Sequence, residues 1–244
     1  MNRDIFFIQL KPALFPRSPG PQQREGITAI LDRWEALPAP KNLRHLAYML
    51  ATVHHETART MQPIKERGGE SYLRGMYDIT GSRPALARAN GNTERGDGAR
   101  YAGRGFVQLT WKKNYKRASE QIGIDLVAAP DRALEMAVAT HILFSGMAEG
   151  WFTGRKLSEF LNDLKTDWIN ARKTINGIDK AGLIANLAEL YFKALAQSED
   201  RKLALPPSRP SSSPKRTTIT VSREKIAISS RPRRRFAQRV PGNR

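Results

Sequence analysis

The chain of 244 residues contains no cysteine and only four histidines. Without cysteine there can be no disulfide bond, no thiolate metal site and no cysteine nucleophile. No apolar run approaches the roughly 20 residues of a membrane span, and the N-terminal "IFFIQL" is too short for a signal-peptide core. These absences predict a protein made in a reducing compartment, without an export signal or a membrane span, whose core is held by packing alone.

Acidic residues are scarce towards the C-terminus. Residues 201–244 contain 13 Lys and Arg but a single acid, Glu224, out of a net charge of +18 for the chain. The same stretch is rich in Pro, Ser and Arg, so it cannot bury enough apolar surface to offset its ordering entropy. We therefore predict a folded domain over residues 1–198 and a disordered basic tail over 199–244. The charge of that tail indicates either a solubilising role or electrostatic contact with an anionic cell wall or nucleic acid.

Helical periodicity dominates the part before the tail. Apolar residues recur at three- and four-residue spacing over residues 21–37, 42–56, 134–148, 157–175 and 180–196. In the fourth of these segments the predicted apolar stripe includes Leu164. Residues 57–101 break the rhythm with Gly, Asn, Asp and Arg, and so long an irregular stretch in a compact domain tends to be functional. We expect a mainly α domain with an insertion that builds a cleft.

Two glutamates flank the start of this insertion. Glu56 lies three and seven positions after Val53 and Met49, which puts it at an edge of the apolar helix face. Apolar neighbours disfavour the ionised form of a carboxyl group, as a general acid near neutral pH requires. Glu66 follows ten residues later in a more solvated setting that suits a base, and Glu94 is an alternative in the same "ERG" context. Spacing alone leaves open that all of them are ordinary structural or surface charges.

The sequence lacks the motifs that would indicate a zinc site or a nucleotide-binding loop. The pair His55-Glu56 lacks the second histidine of the H-E-x-x-H zinc motif, because position 59 is arginine. The glycine-rich stretch "GDGARYAGRG" lacks the G-K-[ST] ending of a phosphate-binding loop. We therefore predict no metal site and no cofactor.

Four separated motifs, in order, resemble glycoside hydrolase family 19, and specifically its phage-endolysin-like branch. They are "HHET" at residues 54–57, "YAGRGFVQLTWKKNY" at 101–115, "IGIDLVAAPDRAL" at 122–134 and "TINGI" at 174–178. The likeness covers roughly residues 5–197, and the tail lies outside it.

This resemblance implies a mainly α, lysozyme-like domain of two lobes with a central cleft. It implies inverting hydrolysis of a β-1,4 bond next to an N-acetylated sugar, with Glu56 as the general acid and Glu66 as the base, Glu94 remaining the alternative. The two glycines of "GRG" are expected to allow close backbone approach. Arg104, between them, could orient a carboxylate or form a structural ion pair. The positions that match sugar-contacting residues of the family are Gln108, Thr110, Asn114 and Asn176.

The leading functional interpretation is a peptidoglycan-cleaving endolysin, which would be cytoplasmic until its release and then act on the cell wall. The alternative is a chitinase that uses the same residues on chitin. A weaker alternative is a non-enzymatic protein that binds nucleic acid through the basic tail. We expect a monomer whose partner is the polysaccharide substrate.

Overall fold

A computed structural model of the chain describes residues 1–11 and 13–204, and the side chains of residues 200–204 are not described. Helices provide most of its regular structure, as the sequence predicts. In the described residues they are α1 Arg3–Gln9, α2 Pro21–Ala36, α3 Leu43–Glu56, α4 Glu70–Tyr77, α5 Pro84–Ala89, α6 Asp97–Arg100, α7 Lys112–Ile122, α8 Met136–Glu149 and α9 Ala181–Ala204. Three 3-10 turns cover Pro130–Leu134, Leu157–Glu159 and Asn170–Thr174. The predicted mainly α class is confirmed.

A short antiparallel ribbon supplements the helices. Strands β1, Ile64–Lys65, and β2, Arg104–Gly105, pair with Ile64 opposite Gly105 and Lys65 opposite Arg104. This pairing ties the start of the insertion to the "GRG" motif, about 40 residues later in the chain. The ribbon therefore brings Glu66, which follows β1, next to the "GRG" motif, and the N–H of Glu66 donates to the carbonyl of Gly103 at 2.8 Å.

Helix α3 forms the centre of the core. Its N-terminus is capped by the side chain of Asn42, which accepts a hydrogen bond of 3.0 Å from the backbone N–H of Arg44. Every residue from Leu46 to His54 is buried, and the helix packs along α9. A helix that is apolar on all sides belongs inside a protein. Its C-terminal end, at Glu56, is therefore held on a rigid support.

Four of the five predicted helical segments are confirmed, but the prediction of a helix over 157–175 is wrong. The segment instead forms two of the 3-10 turns, with an isolated bridge between Leu161 and Thr166. Leu164, predicted to be on the apolar stripe, is 99% exposed. The side chain of Asn162 accepts from the N–H of Leu164, and that of Asp167 accepts from the N–H of Asn170. Asn and Asp side chains that bind the local backbone compete with helix formation.

The insertion over 57–101 is ordered and contains β1 and the short helices α4, α5 and α6. Asp78, which is buried, holds it together by accepting from the backbone N–H groups of Gly96 at 2.6 Å and Gly98 at 3.4 Å. Burial alone would raise the pKa of Asp78, but hydrogen bonds from Gly96, Thr80 and Gly98 outweigh it and lower the pKa. The insertion is thus held together by contacts among its own residues.

Helix α9 continues to Ala204, six residues beyond the predicted end of the domain at 198. The rest of the predicted disordered tail, from 205 to 244, lies outside the described residues, so the division of the chain into domain and tail stays a prediction. Across residues 1–11 and 13–204, no helix combines the length and the hydropathy needed to cross a bilayer.

Candidate active site

Glu56 is the last residue of α3, and the chain reverses sharply after it. The hydroxyl of buried Thr57 donates to the carbonyl of Val53 at 2.7 Å and closes the helix end. Ala58 and Arg59 then adopt positive φ angles of 49° and 67°. Non-glycine residues occupy this region only when the surrounding structure holds them there. The turn carries the chain away and leaves the Glu56 side chain 18% exposed.

A buried arginine contacts Glu56. Nη1 of Arg172 donates to Oε1 of Glu56 at 2.6 Å, while Nε of the same guanidinium donates to the carbonyl of Asp179 at 3.1 Å. The side chain of Arg172 is only 4% exposed. The environment of Glu56 is therefore not the purely apolar one that the sequence suggested, because it includes the guanidinium cation of Arg172 from the 3-10 turn at Asn170–Thr174. Sequence patterns could not show this contact, since it joins residues 116 positions apart.

Glu66 directly follows β1 and is held by two donors. The hydroxyl of Tyr77 donates to Oε1 at 2.8 Å, and the backbone N–H of Gly103 donates to Oε2 at 3.0 Å. Burial, followed by the hydrogen bond to Glu66, raises the pKa of Tyr77, so this phenol is a neutral donor. The carboxylate is half-buried and fixed in direction, which is a more restrained setting than the solvated loop that the sequence suggested.

Gly103 allows this arrangement because it has no side chain. A Cβ atom at this position would lie 2.7 Å from Oε1 of Gln108 and 3.0 Å from Oε2 of Glu66. Gln108 is fixed in turn, since its Nε2 donates to the carbonyls of Ile64 at 3.0 Å and Gly105 at 3.1 Å. The close backbone approach expected at "GRG" is thus the contact that packs Glu66 and Gln108 together.

Arg104 has a structural role. Its buried guanidinium donates through Nε to Asp131 at 2.6 Å and through Nη1 to the carbonyl of Ala102 and the hydroxyl of Tyr115. The hydrogen bond from Arg104 lowers the pKa of Asp131. Of the two roles considered for Arg104, the structure shows the ion pair. The residue anchors β2 and contacts neither Glu56 nor Glu66.

The predicted site residues come together around two adjoining cavities, which we call the cleft. One cavity measures about 460 Å³ and the other about 420 Å³, and both are lined by Glu56, Tyr77, Gln108 and Thr110. The first is also lined by Asn114 and Asn176, and the second by Glu66. All six predicted residues therefore line the cleft, although they come from four separate segments of the chain.

Glu94, the alternative second carboxylate, lies elsewhere. Its side chain is 77% exposed and stands 3.9 Å from Nζ of Lys112. It lines neither cavity of the cleft. A larger cavity of about 630 Å³, lined by Met1, Trp34 and Glu35 among others, also lies apart from Glu56 and Glu66. Its two carboxylates, Glu35 and Glu199, are both paired with the N-terminal ammonium group, at 3.6 Å and 3.2 Å.

The polar residues of the cleft are oriented by short bonds to the backbone. The hydroxyl of Thr110 donates to the carbonyl of Gln108 at 2.8 Å, and Nδ2 of Asn114 donates to the carbonyl of Thr110 at 2.9 Å. Oδ1 of Asn176 accepts from the N–H of Gly177 at 2.8 Å. Each side chain keeps further donor or acceptor capacity, which suits hydroxyl and acetamido groups of a sugar.

Several residues that line the cleft were not identified from the sequence. They include Arg172, Tyr77 and Trp111, and the rings of Tyr77 and Trp111 meet edge to face with centroids 5.0 Å apart. Aromatic side chains beside a few fixed polar groups are typical of ligand sites. Trp111 stands inside the quoted motif "QLTWKKNY", but residue type alone cannot tell an aromatic residue that faces a cleft from one that faces the core.

No group of three or more His, Asp and Glu side chains with metal-binding geometry occurs in the part of the chain that the structure describes. The cleft brings together two carboxyl groups, one beside an arginine and one held by a phenol and a backbone N–H. Such a pair can supply a general acid and a general base.

The known proteins that this chain resembles include two plant endochitinases and a bacterial chitinase. The chain is 30% identical to acidic endochitinase SP2 of Beta vulgaris over 142 residues, which are 56% of this chain and 43% of that protein. It is 32% identical to a basic endochitinase of Vitis vinifera over 112 residues, 45% of this chain and 33% of that protein. The chain thus spans less than half the length of these curated relatives. Chitinase C from Streptomyces griseus HUT6037 aligns with a TM-score of 0.48 and 21% identity, over 79% of this chain and 91% of that structure.

The family model described as chitinase class I matches residues 39–174, which is more than half of the chain and includes five of the six predicted site residues. The resemblance inferred from the four motifs is thereby confirmed, and the chain belongs to glycoside hydrolase family 19, the class I chitinase family.

Proposed function

We propose that this protein hydrolyses β-1,4 glycosidic bonds next to N-acetylated amino sugars by an inverting acid–base mechanism. One observation carries the proposal: Glu56 and Glu66 line a single cleft together with Gln108, Thr110 and Asn114. Carboxyl groups on either side of the scissile bond are what glycoside hydrolysis requires. Family membership supports the same reaction class.

Glu56 acts as the acid in this mechanism. Its protonated carboxyl gives a proton to the glycosidic oxygen as the C–O bond breaks, and the carboxylate that results is stabilised by the adjacent guanidinium of Arg172. Because Arg172 is fixed by the carbonyl of Asp179 as well, it also limits the positions open to the acid. Arg172 therefore stabilises Glu56 most after Glu56 has given its proton to the leaving oxygen.

Glu66 acts as the base. The carboxylate removes a proton from a water molecule that attacks the anomeric carbon from the opposite side, which requires the two carboxyl groups to be roughly 6.5–9.5 Å apart. Tyr77 and the N–H of Gly103 hold the carboxylate in one orientation before the reaction. The protons balance, since one enters the leaving oxygen and one leaves the attacking water.

For the polymer, we propose peptidoglycan, in keeping with the endolysin interpretation. A basic protein is drawn to an anionic cell wall, and residues 1–200 carry 28 Lys and Arg against 22 Asp and Glu before the strongly basic tail begins. Chitin is the second candidate. It is favoured by the fact that both curated relatives are endochitinases.

A paired assay tests these proposals. Turbidity of outer-membrane-permeabilised cell walls and cleavage of chitin oligosaccharides are measured side by side, with the anomeric form of the first product followed by NMR. Wall clearing with new reducing ends supports peptidoglycan, whereas cleavage of chitin oligomers alone supports chitin. A product that retains the β configuration contradicts the inverting mechanism. The Glu56→Gln variant serves as the control for contaminating hydrolases.

A further inference from the structure

Another cavity, of about 580 Å³, adjoins the cleft. It shares two lining residues with the cleft, Asn114 and Phe152. Its other walls are one face of α7 and the turn at residues 150–154. We call it the basic cavity, and its charged lining residues are Lys113, Lys116, Arg117 and Glu120.

The turn that walls the basic cavity is built to hold its aromatic residues in place. Gly150 and Gly154 have φ angles of 74° and 83°, which favour glycine, and the N–H of Gly154 donates to the carbonyl of Gly150 at 3.0 Å. Gly146 makes room for the ring of Phe152, because a Cβ there would lie 2.3 Å from its Cζ atom. Phe152 is therefore fixed at the boundary between the cleft and the basic cavity.

The opposite wall of the basic cavity, formed by α7, carries a net positive charge. Helix α7 buries Tyr115 and Ala118 and exposes Lys113, Lys116 and Arg117 on another face. Within residues 13–199, none of these three cations takes part in an ion pair with an Asp or Glu. Arg117 instead stands 5.8 Å above the ring of Trp151. Glu120 is the one acid of the lining, so three positive charges face one negative charge in a concave site, which favours an anionic ligand.

We propose that the basic cavity binds carboxylate groups carried as substituents on the same glycan chain that occupies the cleft. Because the two sites share Asn114 and Phe152, a chain bound in the cleft can place its substituents in the basic cavity. Chitin is uncharged and has no such groups. Peptidoglycan carries a lactyl ether and a peptide with free carboxylates on alternate sugars. The inference rests on the proposed function and deepens it, since it makes the basic cavity the determinant that prefers a peptide-substituted glycan.

The test compares two triple variants that remove the same charge. Lys113→Gln, Lys116→Gln and Arg117→Gln together neutralise the basic cavity. Arg17→Gln, Arg95→Gln and Lys193→Gln together neutralise three exposed cations that line neither the cleft nor the basic cavity. The substrates are peptide-bearing glycan fragments and chitin oligomers of equal length, which carry no carboxylate.

In the cavity variant we expect kcat/KM on peptide-bearing fragments, relative to chitin oligomers of equal length, to fall about tenfold, in line with the loss of three exposed charge contacts. The wild-type preference should shrink by a similar factor at high salt, because exposed charges are screened. The control variant should keep the wild-type ratio. A ratio that is unchanged in the cavity variant, or reduced equally in both variants, overturns the proposal.

A binding measurement separates this inference from the proposed function. Titration of peptide-bearing fragments into Glu56→Gln protein needs no turnover, and the cavity substitutions in that background should weaken binding by a similar factor. If the enzyme hydrolyses nothing yet shows this loss of binding, the proposed function fails and the cavity assignment stands. A soluble phosphodiester polymer serves as competitor, and stronger competition by it than by peptide-bearing fragments overturns the carboxylate assignment. The Lys113→Gln, Lys116→Gln double variant replaces the triple if loss of the Arg117–Trp151 contact lowers Tm.

Discussion

Nη1 of Arg172 lies 2.6 Å from Oε1 of Glu56 and joins the end of the central helix to a 3-10 turn 116 residues later. The pair connects the helical core to the part of the cleft wall that carries Asn176. Because Arg172 is nearly completely buried, its position is determined by the surrounding fold and not by solvent. The acid of the proposed mechanism is therefore oriented by a residue from a distant part of the chain that lies outside the four motifs.

Glu56→Gln should retain the fold and lose nearly all activity. The amide oxygen can still accept from Arg172, but the side chain no longer has a proton to give, and loss of general acid catalysis typically costs about 10²–10⁴ in rate. Hydrolysis of chitin oligomers or wall fragments and the melting temperature are the two measurements. A folded variant that keeps a large fraction of the wild-type rate would show that Glu56 is not the acid.

Arg172→Lys should lower both stability and activity although the charge is kept. Lysine cannot reproduce the fork that reaches Glu56 and the carbonyl of Asp179 together. We expect a loss of about 1.5–3 kcal/mol in the free energy of unfolding, the usual contribution of a hydrogen bond to a charged group. Denaturant unfolding in wild-type and Glu56→Gln backgrounds measures it. The cost should be smaller in the second background, and an equal cost would show that the two residues are not coupled.

Glu66→Gln and Glu94→Gln should differ strongly. Glu66 lines the cleft, and its replacement removes the base. Tyr77 and Gly103 donate to different oxygens of the carboxylate, so the single amide oxygen can keep the bond from the Gly103 N–H while the Tyr77 hydroxyl accepts from the amide NH2 group. Glu94 is mostly exposed and lines neither cavity. We expect a loss of about 10²-fold or more in kcat for Glu66→Gln and a near wild-type rate for Glu94→Gln. The reverse result, with both variants folded, would assign the base to Glu94.

Gly103→Ala should impair catalysis more than stability. The new methyl group would press on Oε1 of Gln108 and Oε2 of Glu66, and the side chains would have to move away from their present positions. Displacement of a catalytic group by about 1 Å can cost about 10²-fold in rate. The matched control is Gly75→Ala, which meets nothing within 4 Å inside α4 and should leave activity intact. Equal activity of the two variants would refute the positioning role of Gly103.

The free energy of unfolding should decrease as the pH is lowered, because His54 becomes protonated. Burial, and then the charges of Arg59 and His55, lower the pKa of His54 from 6.5 to about 4. The neutral ring is a partner of the Tyr191 hydroxyl at 3.0 Å. Because the unfolded chain takes up this proton first, the stabilisation is complete above pH 6.5 and is lost as the pH falls towards 4. The expected loss is about 3 kcal/mol.

Unfolding free energies of wild type and His54→Asn between pH 4 and 7 test this expectation. Asparagine does not titrate in this range and can keep a hydrogen bond with Tyr191. The variant should therefore lose less stability than wild type over the same interval. Parallel curves for the two proteins would mean that His54 does not contribute to the acid sensitivity, and that other groups, such as Asp78 and Asp131, account for it.

The sequence by itself determined the helical class, the central helix that ends at Glu56, and six of the residues that line the cleft. Periodicity specifies which helix face is buried, and the four motifs specify residue types in order along the chain. It also indicated the close approach at Gly103. These features depend on residues near one another in sequence, or on likeness to a family, and both can be read without coordinates.

Only the tertiary structure decided which charges meet. It paired Glu56 with Arg172, assigned Arg104 to Asp131, and placed Glu94 away from the cleft. It also broke the predicted helix over 157–175, where Asn162 and Asp167 bind the local backbone instead. Contacts between distant segments depend on how whole elements pack against each other. A local pattern of side chains cannot encode that packing, because the same pattern fits many arrangements of its neighbours.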